Sequence, residues 1–356
     1  MPEYLLDFNR TQLHNYLQAQ NQPSYRADQI LKGVYVKNYA SFQEFTDLPK
    51  TFRTQLEQDF ALRTFTEIDR VRSNVDGTTK FLWQLRDGLK IESVIIYEKR
   101  RVTFCISSQV GCPLDCKFCA TGKMGLLRNL TPGEIVEQVL QMKAVSERPP
   151  TNIVFMGMGE PLLNYENVMA AADILSDPEG LGFSRKKITI STAGIAKNII
   201  RMADENRPYS LAVSLNAVTQ ETRERIMPIA RKYSLDELME AVKYYTRQTK
   251  KRVTFEYVLM DNINASRQDA HALIRLTKGI PCKINVIPCN TDDPLYKPPG
   301  DEVIQEFDQI VNKGQRTITI RNRKGWEIQA ACGQLYAKNE RQKKKITFKQ
   351  LNLTRI

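Results

Sequence analysis

The sequence predicts an α/β fold: a partial (β/α)6 barrel preceded by a small N-terminal helical domain and a short β extension. Three observations carry that expectation. Strand-like runs alternate with helically periodic segments from residue 102 onward, the opening residues show helical spacing alone, and short paired strands lie between the two.

In residues 1–65, Leu5, Leu13, Leu17, Ile30, Leu31, Val34, Phe42, Phe45 and Leu48 sit at helical spacings, broken by Asn-Gln-Pro and Asp-Leu-Pro. This reads as a helical accessory domain. Residues 66–100 change to the strand-like KFLWQL and LKIESVIIY, with Asp87-Gly88 as the turn between them. The core, residues 101–335, carries strand-like runs at VTFCIS, NIVFMG, KITIST, SLAVSL, VTFEYVLM and KINVIP. Helical segments separate them, and two open on capping boxes, Thr131 with Glu134 and Ser234 with Glu237; Pro132 suits the first helical position. Six strand-helix units suit a parallel sheet curling into a partial barrel. An open doubly wound sheet fits less well, because no Gly-x-Gly-x-x-Gly follows the first strand. A last strand, RTITIR, precedes Cys332. Residues 336–356 form a basic tail, with six Lys or Arg and one Glu between Lys338 and Lys349. Such a run is either a solvated terminus or an electrostatic contact to nucleic acid.

Composition excludes several classes. With 42% hydrophobic residues among 356, the chain can bury a core. No apolar run approaches the length of a membrane span, and the opening MPEYLLDFNR lacks an apolar signal core, so a cytoplasmic protein is expected. Lys and Arg number 52 against 40 Asp and Glu, a net charge of +12 that suits a nucleic-acid partner. Only His14 and His271 are histidines, which argues against a Ser-His-Asp triad or a His-rich zinc hydrolase and leaves acid-base work to carboxylates, lysines or thiols.

Seven cysteines do not read as a disulfide framework in a chain without an export signal. Cys105, Cys112, Cys116 and Cys119 crowd together. Cys112, Cys116 and Cys119 form C-x3-C-x2-C after a strand, and three thiolates on one tight loop can hold three irons of a [4Fe–4S] cluster, leaving the fourth open to an exogenous ligand. Structural zinc, with Cys105 as the fourth ligand, is the alternative. Cys282 and Cys289, in or beside the sixth strand, read as packing.

This motif at the end of the first barrel strand, with Phe118 before its last cysteine, resembles the radical S-adenosylmethionine superfamily. CISSQVGCPLDCKFCATG, FMGMGEPLLN, ISTAG, VSLNA and AACGQL together resemble the RlmN-type RNA methyltransferases, from about Gln22 to Leu335. The resemblance implies a [4Fe–4S] cluster on Cys112, Cys116 and Cys119, and two S-adenosylmethionine molecules per turnover, one a methyl donor and one a source of the 5′-deoxyadenosyl radical. It places the methionine end of that cofactor at Gly159 and Glu160, with Ser191, Ser214, Leu215, Asn216 and Asn290 as further contacts. It makes Cys332 the S-methylcysteine carrier that joins C2 of adenine through a transient protein-RNA adduct. Cys105 is then the resolving thiol, forming a transient disulfide with Cys332, and Glu92 the proton acceptor. Each of these residues alone reads as an ordinary cap, turn, strand or core residue; their order along the chain is what resembles the family. The chain departs from the family in GWEIQAACGQL, where Trp326 and Gln329 replace a commonly acidic run.

By the same resemblance the substrates are 23S rRNA and tRNA, at the adenosine 3′ of the anticodon. Related enzymes methylate C8 and usually read Gly-Glu-Ala-Leu, whereas this chain reads Gly-Glu-Pro-Leu, which favours C2. A flavodoxin or ferredoxin system as electron donor, a monomeric state and no membrane partner complete the expectation, with Arg26, Lys32 and Lys37 as candidate RNA contacts. The alternatives are a C8-specific enzyme, a radical enzyme of another kind and a non-catalytic RNA-binding protein with a structural metal.

Overall fold

The computed structural model describes residues 2–291, 293–314, 317–321 and 324–337; the basic tail from Lys338 lies outside the described residues. The chain opens with β1 (Glu3–Tyr4), α1 (Arg10–Ala19), α2 (Arg26–Leu31), α3 (Lys50–Asp59) and β2 (Phe60–Ala61), and β1 pairs with β2 in parallel. Asn9 caps α1 through a reciprocal box with Gln12. Leu13, Leu17, Ile30, Val34 and Phe45, expected at the helical spacings, are all buried.

This region is pinned to the barrel at one buried carboxylate. Glu137 accepts from the backbone of Thr64 at 2.9 Å and of Phe65 at 3.0 Å, and the Tyr4 hydroxyl donates to it as well. Nearby, Asp7 accepts from the Gly133 amide at 2.9 Å; a Cβ on Gly133 would come within 2.7 Å of Asp7 and Tyr4. A side chain there would push the two regions apart.

Next come β3 (Thr66–Arg72), β4 (Thr79–Gln84), β5 (Lys90–Tyr97), β6 (Val102–Cys105), the hairpin of β7 (Gln109–Cys112) and β8 (Gly125–Asn129), and α4 (Pro132–Val145). They are followed by β9 (Asn152–Phe155), α5 (Tyr165–Ser176), β10 (Ile188–Thr192), α6 (Ala196–Asp204), β11 (Ser210–Ser214), α7 (Gln220–Ile226) and α8 (Leu235–Thr249). The remaining elements are β12 (Val253–Leu259), α9 (Arg267–Leu276), β13 (Cys282–Pro288), α10 (Asp301–Lys313) and β14 (Thr317–Ile320). One ten-stranded sheet runs β3-β4-β5-β6-β9-β10-β11-β12-β13-β14. From β6 onward every neighbouring pair is parallel, while β3 to β6 pair antiparallel, so the β extension continues the barrel's own sheet. The six expected strands and the RTITIR strand are all present, with a helix between most successive parallel strands.

Both expected capping boxes form. Thr131 accepts from the Glu134 amide at 3.2 Å and Ser234 from the Glu237 amide at 3.2 Å, with Pro132 in the first turn of α4. Among the described residues no helix is long and apolar enough to cross a membrane.

Candidate active site

The cysteine motif does not follow a barrel strand directly. β6 ends at Cys105, the chain turns, and the small antiparallel hairpin of β7 and β8 carries the motif in its loop. Gly111 makes that hairpin close enough: its φ is +78°, and a Cβ there would stand 1.9 Å from the Gly125 carbonyl oxygen. The loop is tied down on three sides. The Lys117 amide donates to Ile226 O at 2.9 Å, the Cys119 amide to Cys116 O at 3.0 Å, and the Ala120 amide to Gly333 O at 2.7 Å. A Cβ on Gly122 would press on the Cys116 backbone at 3.1 Å.

Burial pushes the Cys112 and Cys116 thiols well up from their usual range, and the neighbouring thiols push them further. Buried thiols resist ionisation unless cationic iron balances them. Among the described residues, no three Cys, His, Asp or Glu side chains converge on one point as a single ion needs. A [4Fe–4S] cluster instead takes each thiolate on a separate iron, and the donor set fits it.

Cys112, Cys116 and Cys119 line one pocket with Gly159, Glu160, Ser191, Ser214, Asn216, Asn290 and Cys332. It opens at the C-terminal ends of the parallel strands, where a (β/α) barrel presents ligands to its loops. Glu160 follows β9 and is buried. Its Oε1 accepts from the Leu162 amide at 2.9 Å and its Oε2 from the Ala193 amide at 2.7 Å. Burial raises its pKa to about 7 against the pull of those two amides, so a cationic ligand is what would hold it ionised. Gly159, at φ +105°, has no room for a Cβ: Gln109 N would be 2.8 Å away. Asn290 contributes a buried Oδ1 with no hydrogen-bond partner, an acceptor awaiting a donor.

Asn216 lines the wall, but its amide is spent on the protein: Oδ1 accepts from Val258 N at 2.9 Å, and Nδ2 faces the Met227 sulfur at 3.2 Å. Leu215 lies behind the wall, fully buried. Its backbone bonds are made inside the chain, its amide donating to Glu256 O at 3.0 Å.

Cys332 is exposed on the pocket, whereas Cys105 is buried at the end of β6. Each of the seven cysteines is a free thiol. Cys105 and Cys332 are close enough that the second adds to the upward push of burial on the first, and Cys119 acts likewise on Cys332. Glu92 is buried rather than facing solvent as strand alternation suggests. Its Oε1 pairs with Lys80 Nζ at 3.2 Å, and its Oε2 accepts from the Tyr336 amide at 2.8 Å. The departing GWEIQ run docks on the β3-β4 hairpin: Gly325 N donates to Asp76 at 3.2 Å and Lys80 to Gln329 O at 3.3 Å, with Trp326 left exposed. Cys289 lines the pocket instead of merely packing, while Cys282 is half-buried at the start of β13. Of the RNA candidates, Lys32 and Lys37 are exposed; Arg26 is half-buried, over the Tyr25 and Phe52 rings.

Two further residues belong here that sequence reasoning passed over. Glu256 lines the pocket from β12, with Oε1 held by Asn285 Nδ2 at 2.9 Å and Oε2 unpartnered; a lone charge inside VTFEYVLM was the available signal. Arg223 is buried behind the pocket, and nothing in QETRERI distinguishes it from its exposed neighbour Arg225.

A three-cysteine loop over a partial parallel barrel defines a radical S-adenosylmethionine protein, and a family model described as the Radical SAM superfamily matches residues 106–274. A second, the ribosomal RNA large subunit methyltransferase N-terminal domain, matches residues 4–62. The chain is 42% identical to a probable dual-specificity RNA methyltransferase RlmN of Christiangramia forsetii, over 93% of this chain and 95% of that one. It is 43% identical to the protein so named in Thermotoga neapolitana, over 94% and 98%. A radical SAM methyltransferase structure from Sphaerobacter thermophilus superposes with a TM-score of 0.91 at 41% identity, covering 95% of this chain and all of that one. The chain belongs to the RlmN family of radical S-adenosylmethionine methyltransferases.

Proposed function

We propose that the chain methylates C2 of adenosine in 23S rRNA and in tRNA, with Cys332 as the methyl carrier. The observation that carries this reading is Cys332 facing the same pocket as Cys112, Cys116, Cys119 and Glu160. The names of the relatives support RNA as the substrate, and the Gly-Glu-Pro-Leu segment supports C2 over C8.

Cys112, Cys116 and Cys119 hold the cluster, which when bound supplies the electron that splits S-adenosylmethionine into methionine and a 5′-deoxyadenosyl radical. Glu160 keeps lone pairs free beyond its two amide bonds and receives the methionine ammonium. Ser191, Ser214 and Asn290 offer polar atoms to the rest of that molecule, and Asn216 shapes the wall. The Cys332 sulfur first takes a methyl group by displacement from one S-adenosylmethionine. The 5′-deoxyadenosyl radical takes a hydrogen atom from that methyl, and the carbon radical left on sulfur adds to C2 of the adenine. The adduct gives up one electron to the electron-transfer system, and Glu92 removes the C2 proton. The Cys105 thiolate attacks the Cys332 sulfur; the sulfur–carbon bond breaks, the carbon keeps the electron pair and takes up a proton to become the methyl group, and the disulfide left behind is opened by a cytoplasmic thiol reductant. Acting as a monomer fed by a flavodoxin or ferredoxin system, the chain reaches a base that has left its stack, while exposed cations grip phosphates.

The test is anaerobic reconstitution with iron and sulfide, then incubation with reductant, S-adenosylmethionine and an unmodified 23S rRNA fragment. Mass spectrometry of the digested RNA is expected to find 2-methyladenosine alongside 5′-deoxyadenosine. Finding 8-methyladenosine would move the reaction to the other carbon. A folded chain that binds no iron and yields neither product would leave a metal-stabilised RNA-binding protein.

A further inference from the structure

Arg223 is fully buried, at 0% exposure, yet no carboxylate pairs with it among the ion pairs of the described residues. Its Nη2 donates to Ala193 O at 2.6 Å and to Ser214 O at 3.4 Å, and its Nε to Leu215 O at 3.2 Å. Those carbonyls lie at and just beyond the ends of β10 and β11, the strand tips that build the cofactor wall. Gly194 makes room for the fork; at φ +108°, its Cβ would stand 3.0 Å from Nη2. The Nη1 edge is buried with no hydrogen-bond partner at all.

Neutral amide donors could serve those carbonyls, so hydrogen bonding alone does not explain a guanidinium. A buried charge calls for an opposite charge. Cys116, the central cysteine of the motif, is near enough to act electrostatically on Arg223. The backbone joins the same two places, since α7 ends in Ile226, whose carbonyl accepts from the amide of Lys117, next to Cys116. A guanidinium stays a cation at neutral pH even when buried.

We propose that Arg223 is a positioning residue that serves as the counter-charge of the iron–sulfur cluster, clamping the tips of β10 and β11 while its unpaired charge favours the reduced state. The proposal rests on this family's cluster occupying the three cysteines. Reduction adds one negative charge to the cluster, and a fixed buried cation stabilises that added charge more than the oxidised form.

The test uses the full chain, reconstituted anaerobically and titrated electrochemically while the reduced cluster is followed by electron paramagnetic resonance. Arg223→Gln is expected to leave at least tenfold less cluster reduced at a given potential, a fall of about 59 mV for a one-electron couple. Arg223→Lys, which keeps the charge and loses the fork, is expected to hold the native midpoint while the apo chain melts lower. An unchanged midpoint in Arg223→Gln overturns the proposal. So does a Lys variant that binds the cluster but falls tenfold, since hydrogen bonds rather than charge would then set the potential. Should Arg223→Gln not fold, the Lys variant decides by the same two outcomes. A native chain that takes up no iron sinks the cluster reading along with this one; iron uptake with no midpoint shift sinks the role of Arg223 alone.

Discussion

The Tyr336 amide donates to Glu92 Oε2 at 2.8 Å, joining the segment that carries Cys332 to a strand of the β extension. Lys80 closes on the other oxygen at 3.2 Å from the neighbouring strand. Glu92 is thus a carboxylate held by one cation and one amide, and that amide belongs to Tyr336, four residues in sequence beyond Cys332. That arrangement leaves neither oxygen of the buried carboxylate without a partner.

Glu92→Gln keeps an oxygen for Tyr336 and removes the base. Methylation is expected to fall by roughly 10²–10⁴-fold, the usual weight of one general base. The covalent protein-RNA species should accumulate, seen as a retarded band on a denaturing gel. A variant that turns over at the native rate would take Glu92 out of the mechanism.

The two thiols divide by burial, and their substitutions should divide likewise. Cys332→Ala removes the exposed sulfur, so methylation is lost while 5′-deoxyadenosine still forms, quantified by chromatography. Cys105→Ala removes the buried one, and the adduct should form but not resolve. Full methylation by Cys332→Ala would end the carrier reading.

Glu160 gives a pH dependence with a definite sign. Its pKa is raised from 4.5 to about 7 by burial, so the folded chain keeps a proton that the unfolded chain has released. The stability this contributes is fully present below about pH 4.5 and is lost as the pH climbs through 7, about 3 kcal/mol in all. A ligand ammonium needs the ionised form. S-Adenosylmethionine should therefore bind the reconstituted chain more tightly as pH rises from 6 toward 8, and Glu160→Gln should bind weakly with little slope. Equilibrium dialysis across that range checks it; a flat native profile refutes it.

Legibility in the sequence tracked whether a residue's environment is local. The parallel strands announce themselves because both faces are covered, as in Leu211, Ala212 and Val213 of β11, and the capping boxes because they close within four residues. β3 did not announce itself. TEIDRVR is an edge strand with almost every side chain exposed, so alternation has nothing to mark, and its charges suit an unpaired edge. The β7-β8 hairpin escaped for a related reason, its register depending on glycines at 111 and 125 that meet across the strands. Glu92 misled because the partners that bury it, Lys80 and Tyr336, come from a neighbouring strand and from the far end of the described chain. The candidate site residues that share a motif with a neighbour can be picked out from the sequence; Arg223 gains its meaning only from three carbonyls on other elements.

That non-local dependence is testable at Glu137, which accepts from Thr64, Phe65 and Tyr4 at the seam between the N-terminal helices and α4. Glu137→Ala leaves two buried amides and a phenol without their acceptor, and hydrogen bonds to a charged group carry about 1.5–3 kcal/mol each. A loss of about 3 kcal/mol or more in urea unfolding is expected. Limited proteolysis should then cut near residues 62–66 before the barrel yields, because the seam opens while the parallel sheet keeps its own core. Glu137→Gln keeps a neutral acceptor and should lose less. If Glu137→Ala unfolds with native stability and no early cut, the two regions are held together elsewhere, and the Asp7–Gly133 bond at 2.9 Å becomes the place to look.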